Sequence, residues 1–454
     1  MSHTYALPTA RGLAPVWPVV AVIALLALPV APGGEGGASP ADAASGVVVL
    51  CCAIRLLRHR RRPLSRAAVV VLGLPVAGFA VAAAGAMTPG AALTGFARWL
   101  QIFVLVPAAV LLLVRDRRDV RLLAWSVVAL AMWQGAVGVH QYATGTGASY
   151  MGQEIRAVGT FGPGDVMGMA TVVSFGLVCA VGLALAAASV RQRVWALVCM
   201  VLLTVPLAVS FSRGAWIATV VACGAQLVLA GLRRAVAAGA VVAAVSVILV
   251  GGFGVGSTLL QERVSSIGQV GDAPDQSVTD RYTMWAAAAD MWRERPLTGV
   301  GFKGFPEHRD GHASLALSSG SDIGGAGTEY RKQPLLSPHN MYLLVLSEQG
   351  IVGLLALAGS WLALLVPALR RLVRARRARD PGDAPTAESS LDCGLVACGL
   401  LVWQLINFAY ADIGGPTTVL TSICLGLTAW WALGGREGCP EPAVSVASKE
   451  AAPR

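Results

Sequence analysis

The chain has 454 residues, of which 55% are hydrophobic and 13% charged, with a formal net charge of +10. Apolar runs of about 18–22 residues recur along it, the length that crosses ~30 Å of hydrocarbon as a helix, and they exclude an ordinary soluble core. The expected fold class is therefore an all-α integral membrane protein of about twelve transmembrane helices, with the lipid bilayer as its first partner.

In chain order the spans are expected near residues 14–32, 41–57, 67–86, 93–114, 122–143, 164–189, 194–211, 214–231, 236–255, 350–369, 390–410 and 417–434. The first is read as a retained helix rather than a signal peptide. Arginines cluster at Arg55 to Arg66, Arg115 to Arg121, Arg191 and Arg193, Arg233 and Arg234, and Arg370 to Arg379. These clusters fall in alternate loops, which argues against a nucleic-acid partner. By the positive-inside rule they place both termini in the cytoplasm. Of the nine cysteines, eight sit in expected spans and Cys439 in the tail, so no disulfide framework is implied.

The expected organisation is an N-terminal membrane bundle over 1–255 (about nine spans) and an extracytoplasmic loop over 256–337. C-terminal membrane helices over 338–434 (about three spans) and a disordered cytoplasmic tail over 435–454 follow, with a polar inner linker from Asp380 to Ser389. Within the loop, Leu259 to Ile267 reads as a short amphipathic helix and Gln269 to Val278 as irregular chain. Asp280 reads as the N-cap of a helix from Arg281 to Glu294 that Pro296 stops. On it Tyr282, Trp285, Ala289 and Trp292 form one stripe at helical spacing, expected to pack on the bilayer surface or on neighbouring helices. Leu317 to Gln333, rich in Gly and Ser, is expected to be mobile. From His339 to Arg370 the chain is apolar for longer than one bilayer thickness, so a break is expected near Gln349-Gly350, with Asn340 to Glu348 as a separate outer helix.

Charges near membrane depth are costly and mark function. On this topology Arg98, His140, Arg156, Asp165, Arg213, Arg281, His339, Glu348 and Asp412 all map to the outer leaflet. Arg213, on a tight outer turn, runs against the positive-inside rule. His140 and Asp412 read as interface residues, and His308 and His312 as solvated ones. The run Gly299-Val300-Gly301-Phe302-Lys303-Gly304 matches G-x-G-x-x-G, but it follows a helix rather than a strand, so a dinucleotide site is rejected.

Arginines at headgroup depth suit phosphate oxygens, and a histidine can accept a proton from a sugar hydroxyl near neutral pH. No D-x-D pair or His/Glu cluster offers a metal site, and no cofactor is expected. Displacement of a lipid pyrophosphate by a sugar hydroxyl fits this set, with arginines as leaving-group stabilisers.

The wording of Arg156-Ala-Val-Gly159-Thr160-Phe161, Ser212-Arg213-Gly214-Ala215 and Asp280-Arg281 with Trp285 resembles the bacterial O-antigen ligase and polymerase family. So does that of Pro296-Leu297-Thr298-Gly299-Val300-Gly301, and of Pro338-His339-Asn340-Met341-Tyr342 followed by Glu348-Gln349-Gly350-Ile351-Val352-Gly353. The likeness spans about residues 90–430, and one departure is Gly162-Pro163-Gly164-Asp165, where members often carry an Asn-Pro-Asn-like turn. It implies a metal-independent membrane glycosyltransferase that moves glycan from undecaprenyl pyrophosphate to a glycan or cell-envelope acceptor. Arg213 and Arg281 would grip the pyrophosphate, with His339 acting on the acceptor or orienting the phosphates. Arg98, Arg156, Asp280 and Glu348 stand as substrate-binding candidates. The rival reading is an exporter or flippase of lipid-linked glycans, disfavoured because its charges should lie near the bilayer midplane between related halves.

Overall fold

A computed structural model describes residues 15–30, 39–59, 64–150, 154–162, 165–187, 189–231, 276–317, 321–325, 331–333, 335–377 and 391–434. The expected span at 236–255, the amphipathic helix from Leu259, the linker from Asp380 and the tail from 435 lie outside these residues. The helices run α1 (Trp17–Leu25), α2 (Pro40–His59), α3 (Arg66–Ala84), α4 (Pro89–Leu100), α5 (Val106–Leu113), α6 (Arg117–Thr144), α7 (Gly168–Leu185), α8 (Val190–Ala208) and α9 (Arg213–Ala230). After the undescribed stretch come α10 (Gln276–Glu294), α11 (Phe305–His312), α12 (Met341–Arg377), α13 (Leu391–Asn407) and α14 (Thr418–Leu433). Eight helices among the described residues are long and apolar enough to cross a membrane, counting α4 and α5 as one, and α13 and α14 are shorter apolar helices. The protein is thus a multi-helix membrane protein.

Local chemistry sets the ends of these helices. Ser65, Asp116, Ser189 and Ser212 cap α3, α6, α8 and α9, each side chain accepting a first-turn amide. A π-turn at Gln101–Leu105 joins α4 to α5, and Gln101 Nε2 there donates to Asp42 O and Ser45 Oγ of α2. The first expected span is much shorter than its apolar run. α1 has nine residues, Pro29 follows it, and Gln134 and Trp133 of α6 donate to the Leu26 and Ala27 carbonyls at its end.

α7 is the central helix, buried along nearly its whole length between α6, α8, α9 and α13. α8 instead exposes Val194, Trp195, Val198, Val201, Leu202 and Val205, an apolar face suited to lipid. Contacts define two ends. At one, Arg121 pairs with Asp392, Arg376 donates to the Val228 and Leu229 carbonyls, and Arg371 donates to the Trp431 and Gly434 carbonyls. The described arginines of the 115–121 and 370–377 clusters gather at that end. The opposite end carries the α8–α9 turn, the α13–α14 corner and the start of α12, and the 299–312 segment docks on it.

That docking follows from Gly350, which breaks α12 with φ +65° where the sequence expects a break. Val300 and Gly301 amides donate to Ser347 and Glu348 carbonyls, while Ile351 and Val352 amides donate to Pro296 and Leu297 carbonyls. A side chain on Gly350 would meet Leu297 backbone at 2.3 Å, and one on Gly299 would meet Glu348 at 2.4 Å. The Gly-x-Gly run is therefore a backbone-on-backbone seam. Phe302 inserts beside it, against Phe79 and Trp99 at 5.9 and 5.3 Å between ring centroids.

Two expectations for the loop are corrected. β1 (Ala148–Tyr150) and β2 (Glu154–Arg156), between α6 and α7, form an antiparallel sheet of order β2-β1-β3-β4 with β3 (Ser321–Gly325) and β4 (Arg331–Gln333), which lie in the Leu317 to Gln333 stretch that the sequence reads as mobile. The helical fold thus carries a small sheet, assembled from two stretches too short and too Gly-rich to show strand alternation. The helix at Asp280 also starts earlier, at Gln276, so Asp280 lies inside it rather than at its cap. Its buried face is Met284, Ala287, Ala288 and Met291, whereas Tyr282 is exposed.

Candidate active site

Pro338, His339 and Asn340 divide three tasks among themselves. The Pro338 carbonyl accepts from Trp285 Nε1 of α10 at 2.8 Å. Asn340 caps α12, its Oδ1 accepting the Leu343 amide at 3.1 Å, and its Nδ2 donates to Ala409 O at 3.1 Å. The Met341 amide donates to Phe408 and Ala411 carbonyls. His339 between them is left out of the capping and held at φ +48°, the left-handed region that a side chain enters at a cost. It is exposed at the surface although protein packs closely around it.

Two arginines reach the same region by independent routes. Arg281 precedes Trp285 by four residues on α10, so it stands one turn away on the face that meets Pro338. Arg213 is the first residue of α9, preceded by Phe211 at φ +50° and the Ser212 cap. A cation at a helix N-terminus opposes the dipole, so guanidinium and free amides together favour an anion there. α9 packs on the corner after α13: a side chain on Gly214 would meet Tyr410 Cβ at 2.9 Å. The same corner holds Asn340 and Met341, which brings Arg213, His339 and Asp412 to one end of the bundle.

Burial lowers the His339 pKa below the usual imidazole value, the nearby Asp412 carboxylate raises it, and the Arg281 guanidinium lowers it. Its ring is therefore neutral at physiological pH and able to take up a proton. Among the described residues Asp412 Oδ2 is buried without a hydrogen-bond partner. Asp165, at the entry to α7, is pushed up to about 7 by burial, against hydrogen bonds from the Gly168 amide and the Thr417 hydroxyl.

The remaining sequence-predicted residues take other places. Arg98 forms an ion pair with Asp42 at 2.6 Å, which occupies its charge within α2 and α4. Glu348 is 3% exposed and its Oε1 accepts the Phe305 amide at 3.2 Å, so it belongs to the docking seam. Asp280 is buried at 7% exposure on α10. Arg156 occupies the β2 position opposite Ala148. His312 is not a plain solvated residue: Nδ1 bonds the His308 carbonyl and Nε2 the Glu294 carboxylate, and its pKa is raised chiefly by that carbonyl. Sequence reasoning took Asp412 for an interface residue and gave Asn340 no role in the site beyond its helix start. An acidic residue just past an apolar run offers no signal of pairing with a histidine 73 positions earlier, and only Asn340's place at a helix start was legible.

Among the described residues no group of three or more His, Cys, Asp or Glu side chains is arranged to hold a metal ion. No curated protein matches the chain. The family model described as O-antigen ligase does match, over a stretch that takes in Arg213, Arg281, His339 and Glu348 and leaves out Arg98, Arg156 and Asp412. Residues 198–358 of this chain are therefore an O-antigen ligase family domain.

Proposed function

We propose that this protein is a membrane glycosyltransferase that ligates or polymerises glycan from a polyprenyl pyrophosphate donor on the outer face of the cytoplasmic membrane. The observation that carries the reading is the meeting of His339 with Arg281 and Asp412 at the end of the bundle opposite the arginine clusters. Family membership supports a lipid-linked glycan as substrate. The positive-inside rule supports the outward orientation of that end.

In this mechanism Arg213 and Arg281 hold the two phosphates at headgroup depth. The acceptor hydroxyl attacks the anomeric carbon, a new C–O bond forms, and the bond to pyrophosphate breaks. The hydroxyl proton passes to neutral His339, and the negative charge developing on the departing pyrophosphate is met by the two guanidinium groups. The half-buried Asp412 carboxylate favours the imidazolium that results.

The test is purified protein with a polyprenyl-pyrophosphate oligosaccharide, products resolved by length. A ladder identifies a polymerase, one shifted acceptor identifies a ligase, and unchanged donor rejects both in favour of an exporter. Arg213→Ala, Arg281→Ala and His339→Ala are each expected to lower the transfer rate by about 10²–10³ with insertion unaffected. Rates near wild type would overturn the assigned roles.

A further inference from the structure

At the arginine-rich end, α6 and α8 both begin, and between them lies an open cavity of about 450 Å³, well removed from His339. Arg121 and Trp125 line it from α6, and Ser189, Arg191, Gln192, Trp195 and Cys199 from α8. We propose that this cavity binds an anionic phospholipid, with its phosphate held at Arg191 and Gln192 and an acyl chain laid along Trp195 toward Cys199.

Charge points to an anion. The Arg121 guanidinium is matched by Asp392, whereas exposed Arg191 has no ion-pair partner among the described residues. Gln192 Nε2 is buried with no acceptor among those residues, and an unsatisfied buried donor is a group that a phosphate oxygen would complete. The α8 N-terminus lies alongside, with Ser189 Oγ accepting the Gln192 amide, and its remaining amides add to the positive potential.

Shape points to a lipid rather than a soluble phosphate. From Ser189 to Cys199 the groove follows α8 for about 15 Å at ~1.5 Å per residue, polar at its mouth and apolar below. It opens onto the exposed apolar face of α8, where Val194, Trp195 and Val198 would meet hydrocarbon. A soluble anion would fill only the mouth. Trp125 and Trp195 sit about one turn from Arg121 and Arg191, as aromatic side chains do at the headgroup boundary.

The two tryptophans supply the readout. The full-length protein is reconstituted with either a dibrominated anionic phospholipid or its dibrominated zwitterionic counterpart, and tryptophan quenching is followed against mole fraction. Quenching by the anionic lipid should exceed that by the zwitterionic one, and the excess should vanish in the Trp125→Phe/Trp195→Phe protein. Arg191→Gln should weaken the apparent affinity about fivefold, Arg191→Lys should largely retain it, and millimolar inorganic phosphate should not displace the lipid. Equal quenching by both lipids, an excess that survives the tryptophan substitutions, or displacement by phosphate would each overturn the proposal. Glycan transfer is not part of the readout, so the result stands apart from the catalytic assignment.

Discussion

His339 owes its readiness to a balance of two charges and burial, and that balance can be moved one charge at a time. Because its pKa is lowered, the free base predominates above a point that lies below the usual imidazole value, so transfer should rise with pH through that point and then level off. Asp412→Asn removes the group that raises the pKa, and the acidic limb of the pH–rate profile should move to lower pH. Arg281→Gln removes one that lowers it, and the residual activity should show the limb displaced upward. A profile unmoved by Asp412→Asn would separate Asp412 from the site. His339 also sits at φ +48°, where glycine has no steric penalty. His339→Gly should therefore be inactive yet melt no lower than wild type in detergent, a pairing that a structural role for the imidazole would not produce. At this scale much of the candidate site is legible in sequence, since Arg213 breaks a topological rule and His339 stands between a proline and a helix cap. The nearness of Asp412 to His339 is not, because the two lie far apart in the chain.

Helices are legible where apolar length sets them, and misread where a neighbour decides the end. α2 to α9 fall close to their expected spans, but α1 stops early because α6 side chains take its last carbonyls. α10 starts four residues before Asp280, and the Gly-x-Gly run becomes intelligible only against the kinked start of α12. That seam makes a prediction at the same scale. Gly350→Ala must place a side chain at φ +65° and 2.3 Å from Leu297, with a cost of at least about 1–3 kcal/mol from the backbone alone. Its thermal midpoint should fall clearly and activity with it. Gly73→Ala, on α3 with nothing within 4 Å, should leave both unchanged or raise the midpoint slightly. Equal behaviour of the two variants would remove the seam as a determinant of stability.

Across the whole molecule, charge is segregated by end. The arginine clusters gather at the end where Arg121 meets Asp392, and His339 lies at the other. Periodicity and the positive-inside rule anticipate this segregation from sequence, because the clusters alternate with spans of bilayer length. The orientation that follows can be checked by labelling with an impermeant maleimide over the native cysteine background. Leu315→Cys, fully exposed on the loop, should react in intact cells, and Arg374→Cys only after permeabilisation. The reverse pattern would invert the topology and remove the outer-face assignment.

The small sheet has a consequence for biosynthesis. β1 lies between α6 and α7, yet its partner β3 lies beyond the five described helices α7 to α11, with Ala148 paired to Gly325. Until residues near 325 have emerged, the β1–β2 hairpin offers an unpaired edge, and closing so long a loop is a slow, late step. His339 follows β4 by only a few residues and Asp412 comes later still. A nascent chain halted before His339 would carry Arg213 and Arg281 without the proposed base beside them. The end of the bundle where the reaction is proposed is therefore completed last, after most of the helices have entered the bilayer.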